Sequence, residues 1–133
     1  MKKLDATTHK AIGVFGEDAA ARYLKRRFYK ILERNYTAGK YEIDLIAESF
    51  RHIVFVEVKT RTQAPDEDAL YGTPSAAVTL QKRAYIIAAA RRYLSFRALQ
   101  KDVRFDVMEI YLSDDQTPKI LRIKHIKDAY RAY

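Results

Sequence analysis

Asp44, Glu57 and Lys59 are the residues whose types and spacing can do chemistry. They lie in the stretch 41–61, YEIDLIAESFRHIVFVEVKTR, where two runs of β-type residues flank a short polar break. From Ile53 to Val58 every residue except Glu57 is β-branched or aromatic, which predicts a strand. Both of its alternating faces are mostly apolar, the pattern of a central strand covered on two sides. Glu57 and Lys59 nevertheless share one face at its end. Charges there are costly unless they are paired or bound to a metal. That local conflict marks the candidate site.

The register of a hairpin follows from the same stretch. A two-residue turn at Phe50-Arg51 pairs Ser49 with His52, Ala47 with Val54 and Leu45 with Val56. One step further it pairs Asp44 with Glu57, then Ile43 with Val58 and Glu42 with Lys59. Apolar residues meet apolar residues, which pins the register. Directly opposite residues share a face, so Asp44 confronts Glu57. Two opposed carboxylates repel unless a proton or cation lies between them. Hard divalent cations take oxygen ligands of this kind.

The elements around the hairpin must position these groups. Residues 1 to about 11 read as a frayed arm. A helix is expected from near Gly13 to Phe28, with Ala20, Ala21, Leu24 and Phe28 as its apolar stripe. Glu17 lies on that stripe. It is either a first-turn glutamate favoured by the helix dipole or a carboxylate aimed at the sheet. Ile31–Tyr36 reads as a first strand, and Ala38-Gly39-Lys40 as a turn. Residues 62–73, with the acidic run 66–68, read as a mobile loop. A second helix starts between Pro74 and Thr79, with Thr79 a candidate N-cap, and runs to about Arg97. Leu80, Ala84, Ile87 and Leu94 are its expected buried face, while Tyr85, Arg91, Arg92 and Tyr93 are expected on the outside. Strands over 104–112 and 119–126 follow, and the tail 127–133 reads as a short helix.

The whole chain sets the bounds. Its 133 residues suit one domain with a proper core. It has no apolar run long enough for a membrane span, and no apolar signal core follows its first lysines. A cytoplasmic protein without a membrane partner is expected. No cysteine is present, which excludes disulfides and thiolate metal sites. The net charge of +8 and a pI near 9.7 favour a polyanionic partner, nucleic acid before an anionic membrane. His9, His52 and His125 have no ligand spacing and are read as structural or solvent-facing.

Glu17, then Glu42-Ile43-Asp44, then twelve residues and Glu57-Val58-Lys59 resembles the PD-(D/E)XK nuclease superfamily, with Ile43 where proline is usual. More closely, FGEDAAARYL, ILERNY, EIDLIA, VFVEVKTR, the alanine-rich helix and RFDVMEI resemble the small bacterial YraN-like proteins. Tyr41 stands where that family usually has glycine. The resemblance implies an α/β fold in αβββαβ order, a mixed central sheet flanked by helices with a restriction-endonuclease-like core. It also implies a relation to archaeal Holliday-junction resolvases. On that basis Asp44, Glu57 and the Val58 carbonyl are expected to hold Mg²⁺ or Mn²⁺, with Glu17 an outer or water-mediated ligand. Lys59 is expected to act on the transition state, and Lys82, Arg83 and Arg61 to meet DNA. Glu42 is expected to pair with Lys59 or face solvent, and Asp106 to be structural. Cutting a junction would require a homodimer. The competing expectation is a nucleic-acid-binding or scaffold protein that keeps the fold without catalysis.

Overall fold

The fold is taken from a computed structural model that describes residues 6–62, 79–97 and 100–132. The element order is α1 (Ala6–Arg26), β1 (Lys30–Ala38), β2 (Tyr41–Glu48), β3 (His52–Arg61), α2 (Leu80–Ser95), β4 (Asp102–Leu112) and β5 (Ile120–Tyr130). The strands form one sheet in the order β1-β2-β3-β4-β5. Only β3 and β4 run parallel; the other neighbours are antiparallel. A parallel pair needs a crossover, and α2 lies in that connection.

Each helix covers one face. Ala20, Ala21 and Leu24 of α1 pack with Leu45, Ala47, Val54, Val56, Met108 and Ile110. Ile86, Ala89, Ala90 and Tyr93 of α2 pack with Ile46, Ile53, Phe55, Phe105 and Val107. Alternate residues of β3 thus point to opposite helices, and its continuous apolar run is the consequence. Across the α2 face the aromatic rings of Tyr36, Tyr93, Phe55, Phe105 and Tyr130 touch in sequence.

Several expectations change. Helix α1 begins at Ala6 rather than near Gly13, so residues 6–11 are helical and Glu17 is mid-helix, not in a first turn. Gly13 and Gly16 lie inside the helix. Gly16 is required there, because a Cβ would collide with Thr60 Oγ1 of β3. The buried face of α2 is rotated from the expected one: Tyr93 is 2% exposed and Leu80 is 80% exposed. An alanine-rich helix can be buried through its small residues, which give periodicity little to detect. Thr79 does cap α2, its hydroxyl accepting from Lys82 N at 3.1 Å. The last strand runs to Tyr130, so most of the expected tail helix is strand. Most of the expected loop 62–73, with its acidic run, lies outside the described residues.

Phe28 is 93% exposed, not part of the α1 stripe. It occupies the first position past the helix cap. Tyr29 N donates to Leu24 O at 3.0 Å and Phe28 N to Lys25 O at 3.1 Å. This is a Schellman motif, in which Leu24 and Tyr29 supply the accompanying apolar contact. Its left-handed residue is usually glycine. Here it is Phe28, at φ +68, at a cost of about 1–2 kcal/mol.

Candidate metal and phosphate site

The hairpin forms in the expected register. Glu48 pairs with Ile53, Ala47 with Val54, Ile46 with Phe55 and Leu45 with Val56. The turn closes with Ser49 N donating to His52 O at 2.9 Å and His52 N to Ser49 Oγ at 3.1 Å. The ladder stops at Leu45 and Val56. The expected pairings of Asp44 with Glu57, Ile43 with Val58 and Glu42 with Lys59 are not made. Val58 N donates to the Asp44 carboxylate instead, at 2.8 Å.

The cause is a break in alternation at Asp44. Leu45 packs on the α1 side, yet Ile43, two residues away, packs on the α2 side. The facing segment of β1 does the same. Arg34, paired with Leu45, reaches Asp18 of α1 at 2.6 Å, while Tyr36, paired with Ile43, meets Tyr93 of α2. Between them Asn35 sits at φ +54, a conformation asparagine tolerates. Asp44 is therefore set where the sheet switches faces, within electrostatic reach of Glu17 from α1 and Lys82 from α2.

Glu57 is buried, and Lys59 Nζ lies 3.3 Å from its Oε1. Lys82 Nζ, from the first turn of α2, donates to the same oxygen. Burial would lower the Lys82 ammonium, but its hydrogen bond to Glu57 and the nearby negative charges outweigh that and raise it. Asp44 is less well compensated. Burial, then the Glu57 charge, push its carboxyl up to about 7; the Val58 N–H opposes this only in part. Glu17 is also raised, chiefly by burial, with Arg34 pulling the other way and Glu42 adding to the rise.

Asn35 is a member that sequence reasoning missed. With its amide oriented to satisfy both neighbours, its nitrogen donates to Glu42 Oε1 at 2.6 Å and Glu17 Oε1 at 2.8 Å. Asparagine is depleted in strand interiors, and that anomaly was the available signal. Glu42 thus belongs with Asn35, and the expected partner Lys59 belongs with Glu57. Glu109 was missed too. It is buried on β4, where Arg61 Nε binds Oε2 at 3.1 Å and the Tyr111 hydroxyl donates to the same oxygen. The structure brings together Glu17, Asp44, Glu57, Lys59 and Lys82. Arg61 is placed on Glu109, and the Arg83 guanidinium lies 5.1 Å from the Tyr130 ring centre.

Among the described residues no group of three or more Asp, Glu or His side chains closes around one point as a metal cage. The donor set is two carboxylates with the Val58 main chain beside them. Mg²⁺ suits such a set, because it keeps several waters and takes one or two carboxylates plus substrate phosphate. The excess negative charge at Asp44 is what a divalent cation would neutralise. Asp106 is different in kind. It is 0% exposed and accepts from Arg104 Nε at 2.8 Å, Arg104 Nη2 at 2.9 Å and Asp128 N at 3.0 Å, with His125 Nε2 at 2.7 Å.

Comparison with known proteins adds a family. The model of the uncharacterised protein family UPF0102 matches residues 16–110. A UPF0102 protein of Caldanaerobacter subterraneus subsp. tengcongensis is 40% identical over 98% of this chain and 100% of its own length. One from Geobacter sulfurreducens is 41% identical over 92% of this chain and 90% of its own. One from Geobacter metallireducens is 44% identical over 92% and 93%.

Proposed function

The chain belongs to the uncharacterised protein family UPF0102, and from that premise we propose that it is a metal-dependent DNA endonuclease with a restriction-endonuclease-like core. The observation that carries this reading is the meeting of Asp44, Glu57, Lys59 and Lys82 at one point of the sheet, with Asp44 short of positive charge. Asp44, Glu57 and the Val58 carbonyl would hold Mg²⁺ or Mn²⁺, with Glu17 in contact through water. When bound, the ion supplies an acidified water and charge neutralisation at the phosphate. Glu57 orients Lys59 and Lys82 from one oxygen. Lys59 stabilises charge that develops on the phosphoryl oxygens as water attacks phosphorus and the sugar oxygen leaves. Asp44 must lose its proton before it can serve as a ligand, so activity rises with pH up to about 7. DNA in the cytoplasm is the proposed substrate. Branched forms belong among those tested, since a junction needs two cuts and hence two copies of the chain.

A second reading has one observation behind it. Glu57 is already neutralised by two lysines, so the site persists without an ion, as a nucleic-acid-binding scaffold would allow. A cleavage screen with Mg²⁺ and Mn²⁺ over single-stranded, duplex, flap and four-way DNA separates the two. The nuclease reading expects cleavage of at least one substrate, abolished by chelation and by Glu57→Ala. Binding without cleavage of any of them supports the scaffold.

A further inference from the structure

Two phenylalanines stand almost fully in water on the same part of the surface. Phe28 is 93% exposed and Phe50 is 90% exposed, and both line one cleft of about 460 Å³. Arg27, Arg51 and Lys127 line it as well, and no carboxylate does among the described residues. Arg27 is braced over the Tyr23 ring at 3.5 Å and donates to Tyr23 O at 3.3 Å. Exposed single apolar residues are ordinary. Two phenyl rings in one cationic cleft are not, and one of them is held by a backbone conformation that phenylalanine rarely adopts. Strain of that kind collects at binding sites.

From this pairing we infer a second nucleic-acid contact site, which takes unpaired bases on the rings of Phe28 and Phe50 and the adjoining phosphates on Arg27, Arg51 and Lys127. Aromatic faces accept any base, and cations beside them track the backbone. A duplex hides its base faces, so the ligand chemistry is a single strand or an unpaired segment. The cleft lies at the turn of the β2–β3 hairpin, and Asp44 and Glu57 lie toward the other end. Glu57 is six residue steps along the chain from Arg51, and Asp44 six from Phe50, about 20 Å at the usual strand rise. A single strand that reaches both would be gripped at the turn while a phosphate lies at the carboxylates. The cleft does not depend on hydrolysis, and metal-free binding detects it whether or not the chain cuts.

Phe28→Gly tests the inference without endangering the fold, because glycine is the residue the helix cap prefers. Binding of labelled oligothymidylate is measured in EDTA for the parent, Phe28→Gly, Phe50→Ser and Arg51→Ala/Lys127→Ala, with melting temperature and sedimentation for each. Each phenylalanine variant is expected to weaken the dissociation constant roughly 5- to 150-fold, the loss of one stacked base. Phe28→Gly is expected to melt no lower than the parent. The double cation variant is expected to lower the salt slope. Unchanged binding by Phe28→Gly and Phe50→Ser overturns the site. So does a parent dimer that becomes monomeric in these variants while its oligonucleotide affinity holds, because the rings would then be an interface between copies of the chain. A chain that binds through the cleft but cuts nothing leaves this site standing and removes the hydrolysis reading alone.

Discussion

Asp106 and Asp44 are both carboxylates drawn out of water on the same sheet, and their surroundings push them in opposite directions. Asp106 is met by a guanidinium, an imidazole and a main-chain N–H. Burial works against its charge, but those hydrogen bonds outweigh it and hold the carboxyl below the usual range. Arg104 also reaches the Tyr29 hydroxyl at 2.7 Å, tying β4 to the end of α1. Asp44 receives one N–H, and burial and then the nearby Glu57 charge raise it to about 7. A buried acid with enough donors stabilises a fold. An acid drawn from water without enough donors costs stability, and strongly shifted acids of that kind cluster at functional sites.

The comparison breaks first where the effects are largest. Asp106→Ala leaves the half-buried Arg104 and His125 without their carboxylate, and unfolding free energy should fall by about 3–5 kcal/mol. Asp44→Asn should cost nothing in the absence of metal, because the amide oxygen still accepts from Val58 N and the repulsion with Glu57 is gone. Chemical denaturation of both variants in EDTA tests this. A large loss from Asp44→Asn would place the two acids in the same class.

The next effect is a pH slope with opposite signs. Asp44 binds its proton more tightly folded than unfolded, so its contribution is favourable below about pH 4 and is lost as pH rises to about 7. The full amplitude is at most about 4 kcal/mol. Asp106 is depressed, so its contribution is present above pH 4 and lost as acid protonates it. Between pH 4 and 7 the metal-free parent should lose stability relative to Asp44→Asn. Parallel curves for the two proteins would remove the case for a charge deficit at Asp44.

A smaller effect concerns the approach of α1. Alanine in a helix normally gains about 1 kcal/mol over glycine. At Gly16 the added methyl meets Thr60 Oγ1, and overpacking of this kind costs about 1–3 kcal/mol. Gly16→Ala should therefore destabilise the chain and move Glu17 away from the hairpin. Gly16→Ala paired with Thr60→Ala should restore much of the loss. A stabilised Gly16→Ala would show that α1 does not fit closely against β3.

The hairpin was legible in the sequence because apolar residues on both strands allow one register, and a slip would bury the wrong face. Asp44, Glu57 and Lys59 could therefore be placed near one another before the fold was known, whereas Glu17 joined them only through the resemblance. The twist at Asp44 was not legible. It arises from Asn35 at positive φ and from cores on both sides of β2, which no period-two pattern expresses. Lys82 on Glu57 was equally hidden, because it depends on how the start of α2 docks against the end of β3. The phase of α2 was misread for lack of large apolar residues: Ala89 and Ala90 are buried where Leu80 and Ala84 are not. The tail 127–133 was read as a short helix, yet β5 continues through Asp128 at φ +55 to Tyr130.

The most direct measurement of the central claim is the thermal shift caused by millimolar Mn²⁺ or Mg²⁺ at pH 8, where Asp44 is ionised. An ion that binds only the folded chain, at about one to ten times its dissociation constant, adds roughly 0.4–1.4 kcal/mol. The parent should gain a stabilisation of that size, Asp44→Asn should gain much less, and the surface control Asp114→Asn should respond like the parent. Equal metal-induced shifts in the parent and in Asp44→Asn would mean that the ion binds elsewhere and that the Asp44–Glu57 pair is not a metal site.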